Sequence, residues 1–406
     1  MDKPVVIFDN GSGYSKIGLA GNNEPNYIIP SAIACREVVG VPVSRMQCED
    51  LDYFIGDEAF RNQQTHNLSF PVREGQVNNW DEIERYWQRS IYSLMRVEPQ
   101  EHIFMLTEPP MNPPENREQM AEIMFETFDV AGLYIGVQAV LALFGCNSYK
   151  DNKTLTGTVI DSGDGVTHII PIAHGYVISS CIKHIPIAGR DITKYVVKAL
   201  RDRKEQIHPE DIMDVGREIK EKFCYVCKTM ESEVKKFADP GSDKFRIYEG
   251  VGKTTGTPLR IKVGTERFLG PEVFFSPGKL TKDWDKPLDE CVDTTIQNCP
   301  IDLRRDLYSN IVLSGGTTLF NNFNKRLGDE MQRRIDDRLK KYRETSGREP
   351  QPIKCSIFSP PTQRYAVWYG ASQFASSSDF KNVVHTREQY LEYGPSIARR
   401  NVVFGG

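Results

Sequence analysis

The chain has 406 residues, enough for two or three domains, and its 51 Lys and Arg against 55 Asp and Glu leave a net charge of -4. That near-balance argues against attachment to nucleic acid by bulk positive charge, and 39% hydrophobic residues exclude a disordered chain. The longest apolar run, Leu133 to Gly145, is broken by Gln138 and is too short to cross a bilayer. The opening MDKPVVIFDNG begins with an acid and a strand, not with a basic and then apolar targeting region. Nine scattered cysteines do not form a disulfide framework, so reduced thiols in a soluble, intracellular protein are expected. Cys224 and Cys227 have CxxC spacing without a second pair at a zinc distance, and they read as ordinary thiols.

In chain order, the apolar strand Val5-Val6-Ile7-Phe8 runs into Asp9-Asn10-Gly11-Ser12-Gly13. A return strand follows with Ile17 and Leu19 in alternation. Asn-Gly tolerates positive φ, so the pair predicts a hairpin. A helix is expected over Glu115 to Phe128, after Pro113-Pro114, and a buried helical stretch over Ala139 to Phe144. The opening pattern then recurs 152 residues on: Gly157 to Ile160 enters Asp161-Ser162-Gly163-Asp164-Gly165, and Val166, His168 and Ile170 alternate beyond it. A repeat at that interval points to two related domains and not to a solenoid.

Helices are expected over Asp191 to Arg203 and through Glu218 to Lys222, followed by a loop-rich zone from Asp239 to Pro258. The strand Asn310 to Leu313 enters Ser314-Gly315-Gly316-Thr317-Thr318 and another helix. Over residues 325 to 343, Leu327, Met331, Ile335 and Leu339 recur four apart among mixed charges, the pattern of a solvated amphipathic helix. Ser346 to Pro352 reads as a surface loop.

Glycines at a tight turn let backbone N–H groups approach a phosphate, and two such turns could clamp a polyphosphate from both sides. Asp9 and Asp161 would repel that polyphosphate unless a divalent cation, Mg²⁺ or Ca²⁺, lay between, held through water. Lys16 supplies a counter-charge, and Ser314-Gly315-Gly316 offers a third contact at a strand-to-helix turn. Two lookalikes fail. Gly252-Lys253-Thr254 has Ile247 where a Walker A loop needs glycine, and Gly11-Ser12-Gly13 has Lys16 where a dinucleotide fingerprint needs its third glycine.

The segments DNGSGYSK, IDSGDGVTH and IVLSGGTT resemble the three nucleotide-contact segments of the actin family. The likeness continues through Ile185 to Asp191, Lys220-Glu221-Lys222 and Arg364 to Trp368. Leu106 to Pro110, Ser180 to His184, Gly394 to Ile397 and Asn401 to Gly405 are similar to an actin-related branch of that family. The resemblance implies a duplicated α/β ATPase fold with two lobes around a nucleotide cleft, each divided into a core and a smaller subdomain. Residues 1–32, 70–151 and 366–406 would form the first core and 33–69 its subdomain. Residues 152–187 and 284–365 would form the second core and 188–283 its subdomain.

By the same resemblance, Asp9, Asp161 and Gln138 would surround the water-shelled cation. Ser12, Gly13, Tyr14 and Lys16 would hold one side of the phosphates of ATP or ADP, and Gly163, Asp164, Gly165 and Val166 the other. Lys220 and Glu221 would meet the adenosine, with Gly315, Gly316, Leu319, Phe320 and Arg364 about its pocket; Arg364 stands where actin has lysine. Gln138 and His168, with Asp161, would arrange the attacking water, while packing alone accounts for a strand histidine or a helix-capping glutamine.

Activity would be at most a slow ATPase, with ATP chiefly a conformational ligand. Residues 37 to 53, Ser276 to Leu288, the 343 to 353 loop and the C-terminal extension depart from ordinary actin. Altered contact loops on an intact core suggest a subunit that imitates the filament end without forming a homopolymer, and the resemblance implies a cytoplasmic nucleation subunit of the actin cytoskeleton. Its expected partners are a second actin-related protein, small scaffold subunits, the actin filament and activator proteins, with no nucleic acid contact and no membrane insertion. A self-polymerising actin and a small-molecule kinase are the alternatives.

Overall fold

The computed structural model describes residues 3–36, 53–150, 153–239, 241–252, 255–281 and 284–399. The departures expected at 37 to 53 lie outside these apart from Tyr53, as do Asn401 to Gly405, residues 282–283, and Lys253 and Thr254 of the rejected Walker-like turn. The chain divides into two compact units. The first comprises Met1–Leu155, Ile172–Ser179 and Tyr365–Gly406, and the second Thr156–Pro171 and Ser180–Arg364.

The first unit is built on a six-stranded sheet ordered His385–Thr386, Gly132–Val137, Ile103–Glu108, Val5–Asn10, Tyr14–Leu19 and Tyr27–Pro30. Val5–Asn10 is buried along its whole length, as expected of a central strand covered on both faces. It pairs antiparallel with Tyr14–Leu19, placing Asp9 opposite Lys16, and parallel with Ile103–Glu108, which in turn pairs parallel with Gly132–Val137. The expected opening hairpin is therefore present, and three parallel strands run beside one another out of its first arm.

The helix Gln138–Cys146 leaves Gly132–Val137 without an intervening loop. It buries Ala139 through Leu143 and packs against the helix Ala366–Ala375, which is itself almost wholly buried. The two backbones touch where Gly145 meets Gly370: a Cβ added to Gly145 would lie only 2.8 Å from the Gly370 Cα. The helix expected over Glu115 to Phe128 is regular over Pro114–Glu122 and ends in a wider-wound turn over Ile123–Thr127.

In the second unit Gly157–Ser162 lies between Thr167–Ala173 and Ile311–Ser314, the latter parallel to it and followed by Ile357–Phe358, also parallel. Only four residues join Gly157–Ser162 to Thr167–Ala173, too few for a parallel crossover, so this is the second hairpin. Asp9 and Asp161 are each the next-to-last residue of the hairpin's first strand, so the sequence repeat is a structural repeat. Helices Gly189–Asp202, Ile212–Phe223 and Phe323–Ser346 fall where expected, the last burying Leu327, Met331 and Ile335.

Two expectations are corrected. The zone from Asp239 to Pro258 is not merely loop: Arg246–Val251 pairs antiparallel with Pro258–Val263, tucking Tyr248, Ile261 and Val263 into a small core. Exposed charges interleaved with those three residues hid the strands. Past Ser314 the chain makes only the four-residue 3₁₀ turn Gly316–Leu319, and the long helix starts at Phe323.

A Cβ at Gly370 would overlap the Leu141 carbonyl, which is helix backbone and cannot give way cheaply. Gly370→Ala is expected to exceed the ~1–3 kcal/mol usual for overpacking and to lower the thermal unfolding midpoint markedly. An unchanged melting curve would show that the two helices separate without cost.

Candidate nucleotide site

In the first unit the site residues sit at the C-terminal ends of the three parallel strands, the edge where open α/β sheets bind ligands. Asp9 and Thr107 are the next-to-last residues of two of them, and Gln138 follows the third directly. Lys16 Nζ is 3.0 Å from Asp9 Oδ2, and the Thr107 hydroxyl donates to Asp9 Oδ1 at 2.8 Å. Gln138 Nε2 donates to the same hydroxyl at 3.3 Å. A buried carboxylate thus carries a donor on each oxygen, and a partly exposed ammonium stands beside it.

The turn between the hairpin arms is tightly tied. Gly11 N–H donates to the Tyr14 carbonyl at 3.2 Å, and the Gly13 carbonyl accepts from Ser31 N–H at 3.0 Å. The Ser12 hydroxyl accepts from Gly75 N–H at 2.8 Å, where Gly75 has φ 83°.

In the second unit the Gly163 carbonyl accepts from Gly189 N–H at 3.0 Å and from the Thr317 hydroxyl at 2.6 Å. Gly163 N–H reaches back to the Val166 carbonyl at 3.4 Å, closing a turn that holds Asp164 and Gly165 half-buried. Asp164 pairs with Arg190 at 2.9 Å, and Lys220 Nζ donates to the Gly189 carbonyl at 3.0 Å. Burial pushes the Lys220 ammonium below its ordinary value, with the charge of Asp164 opposing the shift.

Asp161 lies in register with Ser314, and Gly315, at φ +90°, packs so closely that a Cβ would overlap the Ser162 carbonyl. The two strand ends are therefore welded by a glycine no other residue could replace. Gly315 N–H donates to the Gln363 carbonyl at 3.0 Å, next to exposed Arg364. Glu221 and Leu319 are exposed and Phe320 is half-buried.

Gly163 and Gly316 behave differently. Neither has a positive φ, and a Cβ on either meets nothing within 4 Å. The chain's own packing does not require glycine at these positions. A phosphate or nucleoside approaching the backbone closely would require it, so these residues fit a bound nucleotide.

His168 is buried opposite His184, the rings edge-on at 4.7 Å, and both burial and His184 push its imidazole down to about 4. It is therefore neutral near pH 7, able to accept and donate one hydrogen bond each. Cys224 and Cys227 are free, each pushed up to about 12 chiefly by burial, and Cys227 donates to Glu272 at 3.2 Å. Among the described residues no group of three or more His, Cys, Asp or Glu is placed to hold a metal by itself, and no helix is long and apolar enough to cross a membrane.

Sequence reasoning missed Thr107, Gly75, His184, Arg190, Thr317 and Gln363. Thr107 precedes Glu108 at the end of an apolar run, the mark of a strand end, but its register with Asp9 is visible only in the sheet.

The family model described as Actin matches residues 1–403 of the chain. The chain belongs to the actin family. It is 51% identical to "Actin-related protein 3" of Acanthamoeba castellanii over an alignment 417 positions long, gaps included, that covers 99% of this chain and 98% of that relative. Identity to the proteins of the same name from Dictyostelium discoideum and Drosophila melanogaster is 50% and 51%, again over 99% of this chain and 98% of each relative. The duplicated α/β architecture expected from the sequence is that of the actin family.

Because His168 resists protonation in the folded state, the unfolded chain binds an extra proton between its ordinary value of 6.5 and about 4. Stability contributed by this group is complete above pH 6.5 and is lost as pH falls through that window, by up to about 3 kcal/mol. The expected result is that His168→Gln flattens acid destabilisation across this range, measured by thermal melts at stepped pH. An unaltered slope would assign the acid sensitivity to other groups.

Proposed function

We propose that the chain is an ATP-binding subunit of a multi-subunit complex that nucleates branched actin filaments. In this reading it pairs with a second actin-related protein and small scaffold subunits, and together they template a daughter filament on activator engagement. The observation that carries the proposal is the end-to-end identity of about half the residues with relatives named actin-related protein 3, in a chain that keeps both glycine turns intact. The protein would work in the cytoplasm, in the actin cytoskeleton.

The site residues follow the same proposal. Asp9, Asp161 and Gln138 would hold Mg²⁺ or Ca²⁺ through water, and the cation would neutralise charge on the terminal phosphates. Lys16, with Ser12, Gly13 and Tyr14, would take one side of the phosphates, and Gly163 through Val166 the other. Lys220, Glu221, Gly315, Gly316, Leu319, Phe320 and Arg364 would receive the nucleoside. Asp9 holds the partly exposed Lys16 ammonium at 3.0 Å, beside the proposed phosphate position. Hydrolysis would rest on positioning by Gln138 and neutral His168, with no covalent intermediate.

Two measurements test this. Native mass and subunit composition of the tagged chain, purified gently from its own cytosol, should show a discrete assembly with a second actin-related protein. Homofilaments formed with Mg-ATP would instead make the protein a self-polymerising actin, and sugar-dependent ADP release by a monomer would make it a kinase. Separately, Gly163→Ala and Gly316→Ala should leave the melting temperature unchanged or slightly raised, since both sites are sterically open. Their ATP affinity should fall at least about tenfold by fluorescent-nucleotide titration, the Cβ standing where the ligand approaches. Equal affinity would remove these turns from the nucleotide site.

A further inference from the structure

The hydrogen-bond chain Lys16–Asp9–Thr107–Gln138 has a direction, and Thr107 sets it. A threonine hydroxyl has a single proton. At 2.8 Å from Asp9 Oδ1, a carboxylate oxygen that can only accept, that proton is committed to Asp9. The hydroxyl is then left as an acceptor toward its other neighbour and must face the amide NH₂ end of Gln138, as the 3.3 Å contact to Nε2 shows. The Gln138 carbonyl oxygen is left as the end that can accept a proton from water. Without Thr107, nothing in this chain of contacts distinguishes the two ends of the amide.

The hydroxyl is well held. Thr107 is 5% exposed, β-branched and in mid-sheet, in register with Gly136 on the strand that leads into Gln138. The next residue, Glu108, is fully buried and anchored by Arg117 Nε at 2.7 Å and by Asn112 at 3.0 Å, which fixes the strand end carrying Thr107.

We propose, building on the nucleotide function above, that Thr107 is a positioning residue. It orients the Gln138 amide so that its oxygen, not its nitrogen, is offered to the attacking water, and it holds the Asp9 carboxylate in the same act. Thr107 touches neither nucleotide nor water in this role. It acts through Gln138 on turnover far more than on binding.

The test compares Thr107→Val, which keeps the shape and removes the hydroxyl, with Thr107→Ser, which keeps the hydroxyl, in the full chain purified in its native assembly. Etheno-ATP affinity, single-turnover phosphate release and melting temperature are measured for each. The expected result is that Thr107→Val slows phosphate release on the order of tenfold while ATP affinity stays within about threefold of the parent. Thr107→Ser should restore most of the lost rate. Equal losses of affinity and rate in Thr107→Val, or a serine variant as slow as the valine one, would reduce Thr107 to a packing residue and overturn the proposal. A valine variant as fast as the parent, or a parent that binds ATP without measurable turnover, would also overturn it. A parent that binds no etheno-ATP would sink the nucleotide function itself, an outcome visible before any variant is made.

Discussion

The candidate residues of the first unit depend on one constraint: three parallel strands end at the same edge of one sheet. Parallel pairing of Val5–Asn10, Ile103–Glu108 and Gly132–Val137 brings Asp9, Thr107 and Gln138 together although Asp9 and Thr107 are 98 positions apart in the chain. Two strands are apolar until their last two residues and the third is apolar throughout with Gln138 next in the chain, so burial drives the sheet together and the polar groups converge as a consequence. The buried Asp9 carboxylate is tolerable because Lys16, directly across the hairpin, and Thr107 occupy its two oxygens. That pairing stabilises the edge and leaves the partly exposed Lys16 ammonium beside it.

The second unit reaches a comparable arrangement by different local means. Here the strand ends are locked by close backbone approach: Gly315 fits against Ser162 only because it lacks a side chain, and Thr317 and Gly189 both bind the Gly163 carbonyl. Glycine serves two purposes within a few residues. Gly315 is required by the protein's own packing, whereas Gly163 and Gly316 face open space. Only the latter kind points to a ligand, and a sequence cannot separate the two.

Much of this was legible in the chain. The repeat of strand, aspartate, glycine turn and return strand at Asp9 and Asp161 predicted two related units, and the hairpins appear with the aspartates in matching positions. Helix signals were equally readable where apolar residues kept a regular spacing, as in Phe323–Ser346. Strand signals failed where burial is one-sided and brief, as in Arg246–Val251, whose single buried Tyr248 left no alternation to count. The helix expected after Ser314 to Thr318 begins only at Phe323 because Gly316–Leu319 forms its own short turn first.

The sequence by itself determined the repeat, the apolar strands, the glycine turns and the identity of the carboxylates and lysines, because these are local patterns set by residue type and spacing. Only the tertiary structure decided which of them meet. Thr107 gains its place between Asp9 and Gln138 from strand register, and His168 becomes a neutral imidazole because the fold buries it, with His184 of a neighbouring strand adding to the shift. Hydrogen-bond direction and desolvation both depend on neighbours remote in sequence, and that is the information a linear chain of residues does not display.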